Sequence, residues 1–155
     1  MDIITKNAKE TQALAKLFGE ELLNWPASGK SAMTVVLRGE LGAGKTTFSQ
    51  GFAKGIGILE KIKSPTFVIL KRYPLSKVKR QMSNVKCFKY FYHIDCYRLK
   101  NEKDAIMLGL PEIFKNSENL LLIEWPERIK KALPKKIITV KFSHIDETTR
   151  KVSFN

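Results

Sequence analysis

The sequence is poor in the residues that build disulfide frameworks and metal centres. Its 155 residues include two cysteines, Cys87 and Cys96, without CxxC spacing, and two distant histidines, His93 and His144. We therefore expect neither a disulfide framework nor a zinc site. Long apolar runs are also missing, since the longest are far shorter than a bilayer span, and the amino terminus lacks the apolar segment of a signal peptide. We expect an unprocessed cytoplasmic protein with no membrane association.

Acidic residues are scarce relative to basic ones. There are 15 Asp and Glu residues against 28 Lys and Arg residues, which gives a net charge of +13. Residues 71–90 contain no acid and carry seven basic side chains: Lys71, Arg72, Lys77, Lys79, Arg80, Lys86 and Lys89. The hydrophobic content of 43% is ordinary for a globular chain. This length suits one domain, 1–155, with residues 74–89 as a basic loop excursion within it.

Hydrophobic periodicity predicts strands alternating with helices. An opening strand at Ile3 and Ile4 precedes a helix from Asn7, whose apolar face is predicted to hold Leu14, Leu17, Phe18, Leu22 and Trp25. Further strands are predicted at Ala32–Leu37, Phe67–Leu70, Phe91–Ile94 and Asn119–Glu124, and a terminal antiparallel pair at Ile137–Phe142 and Lys151–Phe154. Helical segments are predicted at Thr46–Lys54, Glu102–Phe114 with a break at Gly109 and Pro111, and Glu127–Leu133. This order favours an α/β fold with a mostly parallel sheet and antiparallel edge strands.

The segment Gly39–Thr46 matches the pattern GxxxxGK[ST] between a buried strand and a helix. A loop that wraps phosphate oxygens must turn several backbone N–H groups inward, and Gly42 and Gly44 permit that conformation. Lys45 can then reach the β and γ oxygens, and Thr46 can place its hydroxyl on Mg²⁺. The alternative is a glycine-rich turn that simply precedes a helix.

Two acids follow predicted strands where ligands bind in parallel sheets. Glu124 ends the apolar run from Leu120, and Asp95 ends the sequence FYHID. Glu124 could hold Mg²⁺, directly or through water, and help to orient an attacking water. The alternative for Glu124 is a surface salt bridge.

Five motifs, in this order, resemble those of the bacterial TsaE (YjeE) P-loop ATPases of tRNA threonylcarbamoyladenosine biosynthesis. They are GELGAGKTT at 39–47, SPTF at 64–67, YHIDCYRL at 92–99, LGLPEIF at 108–114 and IEWPERI at 123–129. The resemblance covers nearly the whole chain. It implies a P-loop NTPase-type three-layer fold and a subunit that binds and hydrolyses ATP. It also implies partners, namely a glycoprotease-like threonylcarbamoyl transferase subunit and its paralogue.

The resemblance further implies roles for individual residues. Thr46 and Glu124 would hold Mg²⁺, Asp95 would be needed for turnover with Lys45 and Glu124, and Thr66 would be a switch residue near the γ-phosphate. The implied nucleotide-binding residues are Thr11, Glu40, Leu41, Gly42, Ala43, Gly44, Lys45, Thr46, Thr47 and Trp125. The family commonly has Asp where this chain has Glu40, and the basic excursion is longer than the usual connection.

Several of these residues have a structural alternative. Thr66 follows Pro65 and could only shape a turn. Trp125 could be a core residue. For His93, a structural pairing role within a strand is favoured over acid–base chemistry.

Two other functions remain open. A small-molecule or nucleotide kinase shares the loop but needs an acceptor pocket. A basic RNA-binding module would contact tRNA through the seven basic residues of 71–90. A GTPase is disfavoured because the sequence has no NKxD tetrapeptide.

Overall fold

The computed structural model describes residues 1–25, 29–60, 62, 69–75 and 88–155. The described elements, in chain order, are β1 (Asp2–Thr5), α1 (Ala8–Asn24), β2 (Met33–Arg38), α2 (Lys45–Gly55), β3 (Leu70–Pro74), β4 (Tyr90–Asp95), α3 (Glu102–Met107), α4 (Leu110–Lys115), β5 (Asn119–Glu124), a 3₁₀ helix (Pro126–Ile129), β6 (Ile138–His144) and β7 (Arg150–Phe154). None of the helices in the described part is long and apolar enough to cross a membrane.

The seven strands form one mixed sheet in the order β1-β7-β6-β2-β5-β4-β3. The four central strands, β6, β2, β5 and β4, are parallel to one another. The three outer pairings, β1 with β7, β7 with β6 and β3 with β4, are antiparallel. The sheet was predicted to be mostly parallel, and this is wrong, because three of the six strand pairings are antiparallel. The connection from β6 to β7 is too short to cross over to a parallel neighbour, so it closes a hairpin.

Two hydrophobic clusters lie on opposite faces of this sheet. One cluster joins α1 and α2 to alternate residues of the central strands, including Val35, Leu37 and Leu122. The other joins the intervening residues, such as Val36 and Ile123, to α3, α4 and the 3₁₀ helix. The central strands are therefore covered on both faces, which gives the fold three layers and explains their nearly continuous apolar sequence.

Helices α1 and α2 approach so closely at two glycines of α2 that no side chain fits between their backbones there. A Cβ added to Gly51 would lie 2.2 Å from the carbonyl oxygen of Gln12, and one added to Gly55 would lie 2.1 Å from that of Lys16. The buried residues of α1 accordingly include small and polar ones as well as leucines: Thr11, Ala15, Gly19, Leu22 and Leu23. We call this contact the α1–α2 glycine seam.

The predicted apolar face of α1 is therefore wrong in part. Leu22 is buried, and Leu14 and Phe18 are partly buried against the core, but Leu17 and Trp25 are 61% and 55% exposed. The helix is oriented by the close approach of α2, and that approach selects small residues rather than the largest apolar ones.

Two other predicted elements differ from the structure. The strand predicted at Phe67–Leu70 is β3 at Leu70–Pro74, and residues 67 and 68 lie outside the described ones. The helix predicted at Glu127–Leu133 is the shorter 3₁₀ helix Pro126–Ile129, in which the backbone N–H of Arg128 donates to the carbonyl oxygen of Trp125, three residues before it.

The break predicted at Gly109 in the segment Glu102–Phe114 is confirmed. Gly109, with a φ of 71°, separates α3 from α4. Pro111 does not interrupt the segment, because it lies in the first turn of α4, where its missing N–H needs no partner.

Candidate functional site

The carboxyl ends of β2, β4 and β5 bring the glycine-rich loop, Asp95 and Glu124 together. In the sheet register, Glu124 lies beside Leu37 on one neighbouring strand and beside Asp95 on the other. The loop 39–44 leaves β2 at this edge and leads directly into α2. Gly39 and Glu124, which are 85 positions apart in the sequence, therefore lie at the same edge of the sheet. Ligands bind at this edge in parallel sheets.

The loop backbone turns at two glycines with positive φ. Gly42 and Gly44 have φ values of 75° and 101°, in the left-handed region that disfavours side chains. Gly44 is also the residue that caps α2, so the unpaired N–H groups of the first helical turn face the loop. The partial positive charge of this helix end favours an anion.

Lys45 lies over the loop that precedes it. Its Nζ donates to the carbonyl oxygens of Gly39 and Glu40, both at 2.7 Å, and lies 3.9 Å from the ring centroid of Trp125. Lys45 is 5% exposed. Burial lowers the pKa of its ammonium group, while the nearby carboxylates, Glu124 first among them, oppose this effect.

Glu124 is a buried carboxylate that accepts three hydrogen bonds. Its Oε1 accepts from Ser49 Oγ at 2.7 Å and from His93 Nε2 at 3.0 Å, and its Oε2 accepts from Thr46 Oγ1 at 3.2 Å. Burial acts to raise the pKa of Glu124, but the contacts of His93, Ser49 and Thr46 outweigh it and hold the pKa below its ordinary value. Glu124 is 2% exposed, so the alternative of a surface salt bridge does not hold.

Asp95 is the less buried acid of the pair. Its Oδ1 accepts a hydrogen bond from the backbone N–H of Tyr97 at 2.9 Å. Burial raises the pKa of Asp95; the Tyr97 bond acts against this shift and the negative charge of Glu124 adds to it. Asp95 is therefore a carboxylate with increased basicity beside the loop.

Two cavities adjoin the loop. One, of about 130 Å³, is lined by Lys45, Thr46, Asp95 and Glu124 together with Leu41, Gly42, Tyr97 and Trp125. The other, of about 230 Å³, is lined by Gly42 and Gly44 of the loop together with Thr11, Thr47, Asn7, Ala8, Glu147, Thr148 and Arg150. Gly42 therefore lines both cavities.

The oxygen atoms at the first cavity suit Mg²⁺. Thr46 and Glu124 offer a hydroxyl and a carboxylate that are within hydrogen-bonding distance of each other. Within the described ranges, no group of three or more His, Cys, Asp or Glu side chains is arranged to hold a metal. Mg²⁺ does not need such a group, because it commonly binds one or two protein oxygens together with waters and substrate phosphates.

The other predicted site residues also lie around the loop, with one exception. Ala43 is buried, Glu40 contributes its carbonyl to Lys45, and Leu41 is 77% exposed at the mouth of the first cavity. Thr11 is buried behind the second cavity, where its hydroxyl contacts that of Thr5 at 2.8 Å. Thr66 lies outside the described residues.

Trp125 lies between the hydrophobic core and the glycine loop. It packs against the core on the α3–α4 face of the sheet, while its ring contacts Lys45 and the ring of Tyr97, at 5.1 Å between centroids. It is also the one non-glycine residue with positive φ, 58°, among those the structure describes. That conformation ends β5 sharply and turns the chain into the 3₁₀ helix.

Of the seven basic residues between 71 and 90, the described ones contact groups of the chain itself. Lys71 forms an ion pair with Glu60, and Lys89 pairs with Glu118 at 2.7 Å. Arg72 lies 4.9 Å from the ring centroid of Tyr90. Lys77, Lys79, Arg80 and Lys86 lie outside the described residues.

Sequence reasoning missed two residues that contact Glu124. Ser49 is fully buried and lies one helical turn after Lys45, where a polar side chain on the otherwise apolar face of α2 was an available signal. His93 was expected to be a structural residue, and its bond to Glu124 gives it a place in the site. Its signal was its position two residues before Asp95, which puts both side chains on one face of β4.

Comparisons with known proteins agree with the motif pattern. The family model described as "Threonylcarbamoyl adenosine biosynthesis protein TsaE" matches residues 5–152. The tRNA threonylcarbamoyladenosine biosynthesis protein TsaE of Bacillus subtilis is 35% identical over 150 residues, covering 97% of this chain and 82% of the relative. That of Treponema pallidum is 30% identical over 153 residues, covering 99% and 98%.

A solved structure is similar as well. The crystal structure of YdiB from Bacillus subtilis superposes with a TM-score of 0.66 at 32% identity, covering 99% of this chain and 83% of that one. The family model and the relatives extend over the loop, both acids and the strands that carry them. The predicted resemblance is confirmed: the chain belongs to the TsaE family.

Proposed function

We propose that this protein binds ATP with Mg²⁺ and hydrolyses it, as a subunit required for the threonylcarbamoyladenosine modification of tRNA. The observation that carries the proposal is the junction of Lys45, Thr46 and Glu124 at the end of a glycine loop. This junction combines a cation, a hydroxyl and a buried carboxylate at the start of a helix. The arrangement suits a triphosphate and supports a P-loop NTPase-type fold.

The loop and Lys45 would bind the phosphates. Backbone N–H groups of 42–46 would donate to phosphate oxygens, and two of the three Lys45 donors already fix the loop through Gly39 and Glu40. The remaining donor of Lys45 is available to a β or γ oxygen. Partial burial of this ammonium strengthens its attraction for an anion. Thr11 and Thr47, in the second cavity, would contact the nucleoside side of ATP.

Thr46 and Glu124 would hold Mg²⁺, which neutralises phosphate charge and orients the γ-phosphoryl group when bound. The low pKa of Glu124 keeps it ionised at neutral pH and so ready to bind a cation. Asp95 would accept a hydrogen bond from the attacking water and orient it, a task that its raised pKa favours. Thr66 is proposed as a switch residue from its motif.

The proposed partners are a glycoprotease-like threonylcarbamoyl transferase subunit and its paralogue, in the cytoplasm. The relatives named above are tRNA threonylcarbamoyladenosine biosynthesis proteins, and this chain is similar to them over almost its full length. Binding and hydrolysis of ATP would alternate two arrangements of the loops around the γ-phosphate and thereby reset the partner complex. Slow hydrolysis by the isolated chain is expected if partners complete the transition-state contacts.

Calorimetry and reconstitution test this proposal. ATP should bind in millimolar Mg²⁺ with an affinity that Lys45→Ala abolishes, and the wild-type chain should restore multiple turnover of tRNA modification by the paired transferase subunits. Lys136→Ala, a substitution of an exposed lysine far from the loop, is the matched control. Failure of the folded wild-type chain to bind any adenine nucleotide would contradict the proposal.

The two alternative functions have separate tests. A kinase would transfer phosphate from ATP to a nucleoside or small metabolite, which a substrate screen detects. An RNA-binding module would lose tRNA affinity as salt rises. The internal ion pairs of Lys71 and Lys89 do not favour that second alternative.

A further inference from the structure

Glu124 uses its two carboxylate oxygens differently. Oε1 accepts two hydrogen bonds, from Ser49 on α2 and from His93 on β4, whereas Oε2 accepts one, from Thr46. A carboxylate oxygen offers about two acceptor positions. The described contacts therefore occupy Oε1 and leave acceptor capacity on Oε2, the oxygen that faces the hydroxyl of Thr46.

The two donors to Oε1 come from different elements and are themselves enclosed. Ser49 is fully buried and His93 is 2% exposed, so neither side chain can exchange its bond to Glu124 for one to bulk water. His93 contacts Glu124 across the β4–β5 pairing, and Ser49 contacts it from the helix above the sheet. Rotation of the carboxylate would break both bonds at once. The Ser49 hydroxyl could then donate to the carbonyl oxygen of Lys45, at 3.1 Å, whereas the buried Nε2 of His93 would lose its partner.

We propose that His93 and Ser49 are positioning residues that fix Glu124 so that Oε2 alone, next to Thr46, is presented to Mg²⁺ or to a water bound to it. This inference rests on the proposed function, because it concerns how that site holds its cation. It assigns a role to two residues that belong neither to the glycine loop nor to the proposed Mg²⁺-binding pair, Thr46 and Glu124. Groups that orient metal ligands in this way commonly change metal affinity when they are removed.

The same contacts connect the two acids of the site. His93 and Asp95 lie two residues apart on β4, and His93 bonds to the carboxylate that neighbours Asp95 in the sheet. His93 therefore fixes the position of Glu124 relative to the strand that carries Asp95. Losing its hydrogen bond should affect cation-dependent steps before it affects nucleotide binding as such.

The experiment measures ATP binding by calorimetry as a function of Mg²⁺ concentration and, separately, in EDTA. His93→Leu and Ser49→Ala should raise the Mg²⁺ concentration for half-maximal binding about 10- to 100-fold. Their ATP affinity in EDTA should match that of the wild type. His93→Gln, whose amide can donate from nearly the position of the histidine Nε2, should restore most of the Mg²⁺ dependence.

Thr34→Val is the control for loss of a buried polar group elsewhere. Thr34 is 2% exposed near the start of β2, at the other end of the strand from the loop, and its substitution should leave the Mg²⁺ dependence unchanged. Thermal unfolding of each variant verifies that the chain is folded before binding is compared.

Several results would overturn the inference. Unchanged Mg²⁺ dependence in His93→Leu would do so, as would equal losses in His93→Leu and His93→Gln, or a loss of the same size in EDTA. If the wild-type chain binds ATP with no dependence on Mg²⁺, the inference fails while nucleotide binding stands. If the wild-type chain binds no ATP, the proposed function fails together with it.

Discussion

The two ends of the parallel strands differ in a way that cavity size does not predict. At the amino ends of β2 and β6 lies a cavity of about 360 Å³, lined by Met33, Ile138 and the exposed Lys30 and Lys136 among others. The cavities at the carboxyl ends are smaller, about 130 and 230 Å³. Yet the carboxyl end holds the buried charges. Buried ionisable groups therefore distinguish the candidate site better than cavity volume does.

The two ends of the parallel strands differ because the carboxyl end contains ionisable groups whose burial must be compensated. Burying Lys45 and Glu124 is unfavourable unless each has partners, and the loop carbonyls, Ser49, Thr46 and His93 supply them. Lys30 and Lys136 remain exposed and keep their hydration.

Removing the loop lysine should have the largest effect. Lys45→Ala deletes the cation that two loop carbonyls hold beside the proposed phosphate site, and we expect kcat/KM for ATP hydrolysis to fall about 10³-fold. Lys136→Ala at the opposite end should hydrolyse ATP at the wild-type rate. Steady-state phosphate release measures both, and equal rates for the two variants would remove the contrast between the ends.

Neutralising the basic carboxylate should have the next largest effect. Asp95→Asn keeps the oxygen that accepts from Tyr97 but cannot accept a proton, so we expect kcat to fall about 10²-fold while ATP affinity is retained. Single-turnover hydrolysis together with calorimetry separates the two quantities. A normal kcat in this variant would show that Asp95 does not take part in turnover.

The packing between α1 and α2, behind the loop, should be more sensitive to an added methyl group than the packing at the amino ends of the strands. Gly51→Ala places a methyl group 2.2 Å from the Gln12 carbonyl oxygen, and the resulting strain should lower the free energy of unfolding by about 2 to 3 kcal/mol. Gly29→Ala is the matched control, since its added Cβ would lie 3.9 Å from the nearest atoms of Ser31, its closest contact among the described residues. Urea unfolding of both variants measures the difference, and equal stabilities would mean that the seam can relax.

The smallest effect concerns stability and pH. The pKa of Asp95 is raised in the folded chain, chiefly by burial, so above that pKa its ionisation destabilises the fold. Asp95→Asn removes this penalty and should raise the Tm at pH 7 by roughly 1 to 3 °C. The gain should disappear as the pH falls below the ordinary aspartate pKa, where the wild-type carboxyl is protonated in both states. A Tm difference that does not vary with pH would have another cause.

The sequence predicted which residues meet at the glycine loop better than it predicted the packing around them. The grouping of the loop, Lys45 and Glu124 was predictable because the motif fixes these residue types relative to a strand and a helix. The alternation of strands and helices likewise predicted the α/β class, and the family resemblance implied the three layers. Family membership confirmed the pattern of motifs.

The predictions that failed concerned features that depend on contacts between residues distant in the sequence. The buried face of α1 is decided by the glycines of α2, which no periodicity within α1 reveals. The bond between His93 and Glu124 depends on strand register between β4 and β5, which no local pattern specifies. The number of antiparallel pairings depended on the hairpin from β6 to β7 and on where β1 and β3 join the sheet. Local propensity predicts such elements but not their partners.

The α1–α2 glycine seam has a consequence for how this protein can change shape. Where the backbones touch, no side chain fits between the helices, and beyond that contact the ring of Phe18 packs against those of Phe48 and Phe52. A displacement of α2 relative to α1 would therefore disturb both the glycine contact and this aromatic packing. Under the proposed function, we expect motion driven by nucleotide in the strands and loops on the side of Asp95, with Lys45 and Thr46 at the start of α2 held in place.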